Sequence, residues 1–216
     1  MLAELKKYAA GLIETASAVI MRGDATGALV VTDAHGHFEE AVRQGRVWTL
    51  STAAAGVTIA AANVFSAANA QPLVGIYNPP GSGLNAIIHR GRHVWNSGTP
   101  AAGGLVWGVA PLIQTATLTG AGGVTEINAL TFASGGSGMK TYSNTAMTGV
   151  AGMVLARFAG GPSVGAIAAN APLTFDDPVD GELICGPGQV CGLFAAAAGT
   201  SPIVNATMSF EIVTAA

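Results

Sequence analysis

The sequence predicts an all-β protein, a jelly-roll-like antiparallel β-sandwich with an N-terminal helical arm. Three observations predict it. Short apolar runs of strand length recur along the chain, Gly and Pro punctuate them at close spacing, and helical periodicity is confined to the N-terminal stretch. At 216 residues, the chain can bury about 70% of its unfolded surface and needs neither a disulfide nor a metal to hold a core.

Residues 1–27 form the expected arm and residues 28–216 the sandwich. Within the arm, Leu2, Leu5, Ala9, Leu12, Ile13, Ala16 and Ile20 recur at three- and four-residue steps, as on one face of an amphipathic helix. Gly11 weakens that helix by about 1 kcal/mol relative to Ala. It is therefore expected as two shorter pieces or as a segment that orders against another chain. Lys6-Lys7, a short apolar stretch and Ala16-Ser17-Ala18 have the outline of a secretory signal, which Glu14 interrupts. Arg22-Gly23-Asp24 and Thr26-Gly27 then break the pattern.

Strands are expected at Leu29–Val31, Phe38–Val42, Arg46–Leu50 and Val57–Ile59, then at Leu105–Val109, Ala116–Thr119, Ile127–Phe132 and Val150–Phe158. Four more are expected at Leu173–Phe175, Leu183–Cys185, Val190–Phe194 and Ala206–Ile212. The strongest local signal is Leu73–Tyr77 and Leu84–Arg90 bracketing Asn78-Pro79-Pro80-Gly81-Ser82-Gly83, the pattern of a β-hairpin. Trp48, Trp95 and Trp107, scarce in a chain with 6% aromatic residues, read as core anchors.

Half of the residues are apolar, a tenth are charged, and the formal net charge is −3. This composition excludes intrinsic disorder. Mean hydropathy is +0.49, yet Gly, Ser, Thr, Asn and Pro break every apolar stretch before the ~18 to 20 residues a spanning helix needs. The chain is read as soluble, with no membrane partner. Basic residues form no run longer than Lys6-Lys7, so nucleic acid is excluded as a partner. Charge is also unevenly spread: 47–89, 93–125 and 183–210 carry none. A monomer of this mass exposes on the order of 9,000 Å², and designed monomer surfaces are about 25 to 35% charged. The shortage predicts a homo-oligomer whose copies cover part of that surface.

Few groups suggest chemistry. Asp33-Ala34-His35-Gly36-His37-Phe38-Glu39-Glu40 places His35, His37 and Glu39 at alternate positions, where a strand would turn them to one face as candidate metal ligands. This run resembles the first motif of the cupins, a metal-binding jelly-roll family, and Gly181-Glu182-Leu183-Ile184-Cys185-Gly186-Pro187-Gly188 echoes the second. The match fails at the ligands: the glutamates come too early after the second histidine, and Cys191 falls near the place of the family's last histidine. These histidines are read as solvated, and no metal or cofactor is expected. His89 and His93 flank Arg90-Gly91-Arg92 and read as surface residues without a nearby carboxylate. Asp176-Asp177-Pro178-Val179-Asp180-Gly181-Glu182 lacks calcium-loop spacing and reads as a solvated turn. Cys185 and Cys191 bracket a tight turn that could set them facing each other at disulfide distance; the sequence does not decide whether they are bonded, and buried free thiols are the favoured reading. The sequence has no nucleophile elbow, phosphate loop or dinucleotide fingerprint in a supporting context, and no enzyme is expected.

The segment Pro72–Ile88 resembles a hairpin of virion structural proteins of tailed bacteriophages, as do Leu29-Val30-Val31-Thr32-Asp33-Ala34-His35-Gly36 and the C-terminal Pro202–Glu211. Among these, proteins that pair a β-sandwich with an ordered N-terminal arm are capsid cement, or decoration, proteins. The resemblance implies a trimer on the capsid exterior that clasps neighbouring copies of the major capsid protein. Leu2, Leu5, Leu12, Ile13 and Ile20 would then be the interlocking surface between protomers. Two other readings use the same sandwich: a receptor- or glycan-binding fibre or tail domain with Tyr142, Asn144 or Trp95 around a pocket, and a cupin-like metal-dependent enzyme.

Overall fold

The computed structural model describes residues 22–23, 29–30, 38–66, 71–99, 104–110, 124–150, 152–162, 172–198 and 200–215. The chain divides into two compact units, Met1–Glu40 and Ala41–Ala216. In the first, β1 (Arg22–Gly23) pairs antiparallel with β2 (Leu29–Val30). The arm residues Leu2, Leu5, Leu12, Ile13 and Ile20, the histidines His35 and His37, and the expected strand Ala116–Thr119 lie outside the described residues.

Phe38–Val42, expected as a strand, instead leads into the helix α1 (Glu39–Arg43). Local chemistry explains this. Glu39 and Glu40 sit in the positive first turn and Arg43 in the negative last turn. Gly45, at φ +69°, closes the helix: its N–H donates to the Val42 carbonyl at 2.8 Å and that of Arg46 to Ala41 at 3.0 Å.

After α1 come β3 (Val47–Ser51), β4 (Val57–Thr58), β5 (Val74–Tyr77), β6 (Leu84–Thr99), β7 (Leu105–Ala110), β8 (Ile127–Asn128) and β9 (Lys140–Tyr142). They are followed by β10 (Val154–Gly160), β11 (Leu173–Cys185), β12 (Val190–Ala195) and β13 (Thr200–Thr214). The pairings are antiparallel and form two sheets. One has the order β10-β7-β12-β5-β9; the other has the order β11-β6-β13-β3-β8, with β4 also on β13. The protein is an all-β sandwich, as the sequence predicts. Its main core lies between the sheets, where Leu50, Ile88, Trp95, Met208 and Phe210 meet Leu73, Ile76, Trp107 and Leu193. Trp95 and Trp107 are fully buried anchors, and Trp48 packs half-buried against the same cluster.

The central strands of the five-stranded sheet, β5, β7 and β12, are buried on both faces. The outer side of the sheet is roofed by a second cluster in which Tyr77, Val106, Tyr142, Val190 and Phe194 pack with Met147, Met153 and Phe65. Double burial explains why β5, β7 and β12 are near-continuous apolar runs rather than alternating ones. It also explains three glycines. Gly192 pairs with Gly75 on one side and Gly108 on the other, so three adjacent strands share a row without side chains. A Cβ at Gly108 would meet Phe65 Cε2 at 2.7 Å, one at Gly192 Pro72 at 2.9 Å, and one at Gly75 Pro72 at 2.7 Å. The roof is seated in that groove.

The expected hairpin at 73–90 does not form. β5 and β6 belong to different sheets, and 78–83 is a corner that carries the chain across the sandwich. Residues 186–189 are a second such corner, joining β11 to β12. Buried Asn78 ties the two together: its Nδ2 donates to the Leu84 and Cys185 carbonyls at 2.7 and 2.9 Å, its N–H donates to Gln189 at 3.0 Å, and its carbonyl accepts from Gly188 at 2.7 Å. Cys185 and Cys191 are buried free thiols on opposite sheets. No helix among the described residues is long and apolar enough to cross a membrane.

Candidate assembly edge

A sheet edge offers unpaired backbone donors and acceptors to any other strand, so the edges of the sandwich are its natural contact sites. β4, β8 and β9 are two or three residues long and offer little. β11 is long but guarded. It carries exposed Asp176, Asp180 and Glu182 and the donor-less Pro178, and its register against β6 breaks between Pro178 and Leu183. The break contains Asp180 at φ +48° and Gly181 at φ +85°. The acidic run expected as a solvated turn is therefore strand, bent by a bulge, and Leu173–Phe175 and Leu183–Cys185 are two ends of one element.

β10 is the exception. It pairs with β7 on one side, Val154 opposite Val109 through Gly160 opposite Leu105, and no strand among the described residues pairs with its other side. Val154, Leu155 and Phe158 are 50%, 39% and 64% exposed. Leu155 lies opposite Gly108 and Phe158 opposite Val106, on the side of the roofed outer face, so they extend that apolar surface to the rim. Its register against β7 also shifts, between Leu155 and Arg157 and between Phe158 and Gly160, but unlike β11 the strand carries no proline and no exposed carboxylate.

Its one charge is turned inward and neutralised. Arg157 lies opposite Trp107; its guanidinium donates to Asp177 Oδ1 at 2.8 Å and also to Glu182. Buried Asp177 accepts the Trp107 indole N–H on Oδ2 at 2.6 Å. The sheets are thus pinned together beside the edge, which stiffens β10 and leaves its outward side apolar.

Other charges are also used within the fold. Arg90 and Arg92 flank Asp176 Oδ1, each at 3.3 Å. Glu211 accepts from Arg46 at 2.7 Å and meets His89 Nε2 at 3.1 Å. His89 is therefore not a surface histidine. A register shift between Ser209 and Phe210 of β13 leaves it as an extra residue of β6, facing a carboxylate far along the chain. His93 is buried as well, stacked on Phe175 with ring centroids 5.1 Å apart. Burial lowers its pKa to about 4, although the Gly160 backbone opposes the shift.

Glu39, one of the three candidate ligands, is helical, in the first turn of α1 rather than on a strand. Among the described residues, no group of three His, Cys, Asp or Glu side chains could hold a metal ion. Tyr142 and Trp95 are fully buried in the core clusters. Exposed Asn144 serves the fold: its Oδ1 accepts from Asn63 Nδ2 at 2.8 Å and its N–H donates to the Pro72 carbonyl at 2.9 Å. Burial also pushes the Cys185 thiol up to about 12 and the Cys191 thiol well above its ordinary value, so neither is poised as a nucleophile.

No family model, curated protein or solved structure matches this chain.

Proposed function

We propose that the chain is a structural virion subunit of the cement, or decoration, kind. Copies associate as a trimer on the capsid exterior and clasp neighbouring major capsid proteins; the chain performs no catalysis. The observation that carries this reading is the open, apolar β10 edge on a sandwich whose other long edge is guarded. Scarce surface charge supports it, since an uncharged surface is desolvated at little cost. In this reading β10 meets a second copy. A heterologous contact between β10 and a different face of its neighbour closes a ring, whereas β10 against β10 would close a two-fold dimer.

The mechanism is mechanical. Shell subunits separate only after the bridging contacts break, and buried apolar surface contributes about 25 cal/mol per Å² before association costs are subtracted. The test compares shells assembled with the wild-type chain, with a Leu155→Lys/Phe158→Lys variant, and without the chain. Wild-type chain should raise the rupture temperature of the shells and the variant should not. Equal rupture temperatures with and without wild-type chain would overturn the reading.

A further inference from the structure

A second surface, on the outer face of the six-stranded sheet, has different chemistry. An open cleft of about 510 Å³ lies beside β3 and β8, within the size range of small-ligand sites. Val124, Ile127, Ala129 and Phe132 make its lining largely apolar, Thr49, Ser51, Thr52, Thr125 and Asn128 supply its polar groups, and no ionisable side chain lines it.

Part of that lining is already committed. Ser51 Oγ pairs with Thr207 Oγ1 at 3.2 Å, and Thr52 Oγ1 accepts from the Ala206 N–H at 3.2 Å. The hydroxyls of Thr49 and Thr125 have no partner among the described residues.

Phe132 is 79% exposed, the most exposed large apolar side chain described, and its backbone lies at φ +57°, a region that favours glycine. The loop holds it there through Asn128. Asn128 Oδ1 accepts from the Leu130 and Thr131 N–H groups at 3.0 and 3.1 Å, its Nδ2 donates to the Gly45 carbonyl at 2.6 Å, and its carbonyl accepts the Phe132 N–H at 2.9 Å. A strained, anchored aromatic ring held in water beside uncommitted hydroxyls fits a ligand with both an apolar face and neutral hydroxyls.

We infer that this cleft binds a neutral saccharide, with the C–H face of a sugar ring on Phe132 and its hydroxyls on Thr49 and Thr125. Absence of charge argues against phosphorylated or sulfated ligands, which call for Arg or Lys. The inference is independent of the assembly proposal, because the cleft and β10 lie on different sheets.

The test titrates the full chain with neutral malto-, cello-, manno- and chito-hexasaccharides, followed by saturation-transfer NMR. At least one should bind at millimolar concentration or below, Phe132→Ala should weaken that binding about tenfold or more, and Phe132→Trp should retain it. Phe132→Gly should lose binding while melting no lower than wild type, since it relieves the left-handed strain; this separates a binding role from a folding one. A sulfated hexasaccharide should bind no better than its neutral counterpart. The inference is overturned if no neutral hexasaccharide binds at millimolar concentration, or if Phe132→Ala leaves binding unchanged.

Discussion

The indole N–H of Trp107 donates to Oδ2 of Asp177 at 2.6 Å, joining β7 of one sheet to β11 of the other inside the sandwich. Arg157 of β10 takes the other oxygen of the same carboxylate at 2.8 Å. Three strands thus converge on one buried anion, so the edge strand is held by chemistry as well as by its ladder to β7.

Removing that anion should be costly. Asp177→Ala leaves the Trp107 N–H and the Arg157 guanidinium without their acceptor, and should lower stability by about 3 kcal/mol in urea unfolding. Trp107→Phe, which leaves the Asp177–Arg157 pair in place, should lose only roughly 1 to 2 kcal/mol from the hydrogen bond. Equal losses would show that the shared carboxylate is not the organising group.

Stability should depend on His93 in mildly acidic solution. Its pKa in the folded chain is lowered by burial to about 4, below the ordinary 6.5, so the unfolded chain takes up the proton first. The contribution is complete above about pH 6.5 and is lost as pH falls toward 4, by roughly 3 kcal/mol in total. Unfolding free energies of His93→Leu across this range should show a correspondingly shallower slope than wild type. An identical slope would place the acid sensitivity elsewhere.

The glycine row should tolerate no side chain. Gly108→Ala brings a Cβ to 2.7 Å from Phe65 and 2.9 Å from Phe194, and should cost about 2 kcal/mol through overpacking. Truncating the obstruction in a Gly108→Ala/Phe65→Ala double variant should give a smaller loss than the sum of the two single changes, as expected for residues in contact.

The two thiols should be silent in the native protein. Both are buried and both ionise with difficulty, so iodoacetamide at neutral pH should add no mass until denaturant is present. Rapid labelling of the folded chain would contradict the packing of the core between β11 and β12.

Much of the fold was legible because double burial writes a plain signal. Leu73–Tyr77, Leu105–Val109 and Val190–Phe194 are short apolar runs, and all three are strands of the roofed sheet. Partner choice was not legible. Asn78–Gly83 has the residues of a hairpin turn, but Asn78 spends its hydrogen bonds on the opposite corner, an arrangement no local pattern encodes. β11 was split in two because Pro178, Asp180 and Gly181 mimic a turn, and an edge strand tolerates them where a central strand would not. His89 looked exposed because Glu211 is 122 residues away. The apolar letters of β10 were visible in the sequence, but its position at an edge emerges only when both sheets are laid out.

The central claim is that β10 is covered by a second copy of the chain, and the solution mass of the full-length protein tests it most directly. Light scattering across a concentration series should give three times the 21.4 kDa chain mass for the wild type, and a shift toward the single-chain mass for Leu155→Lys/Phe158→Lys. A wild-type protein that stays at 21.4 kDa at the highest concentration reached would contradict the account.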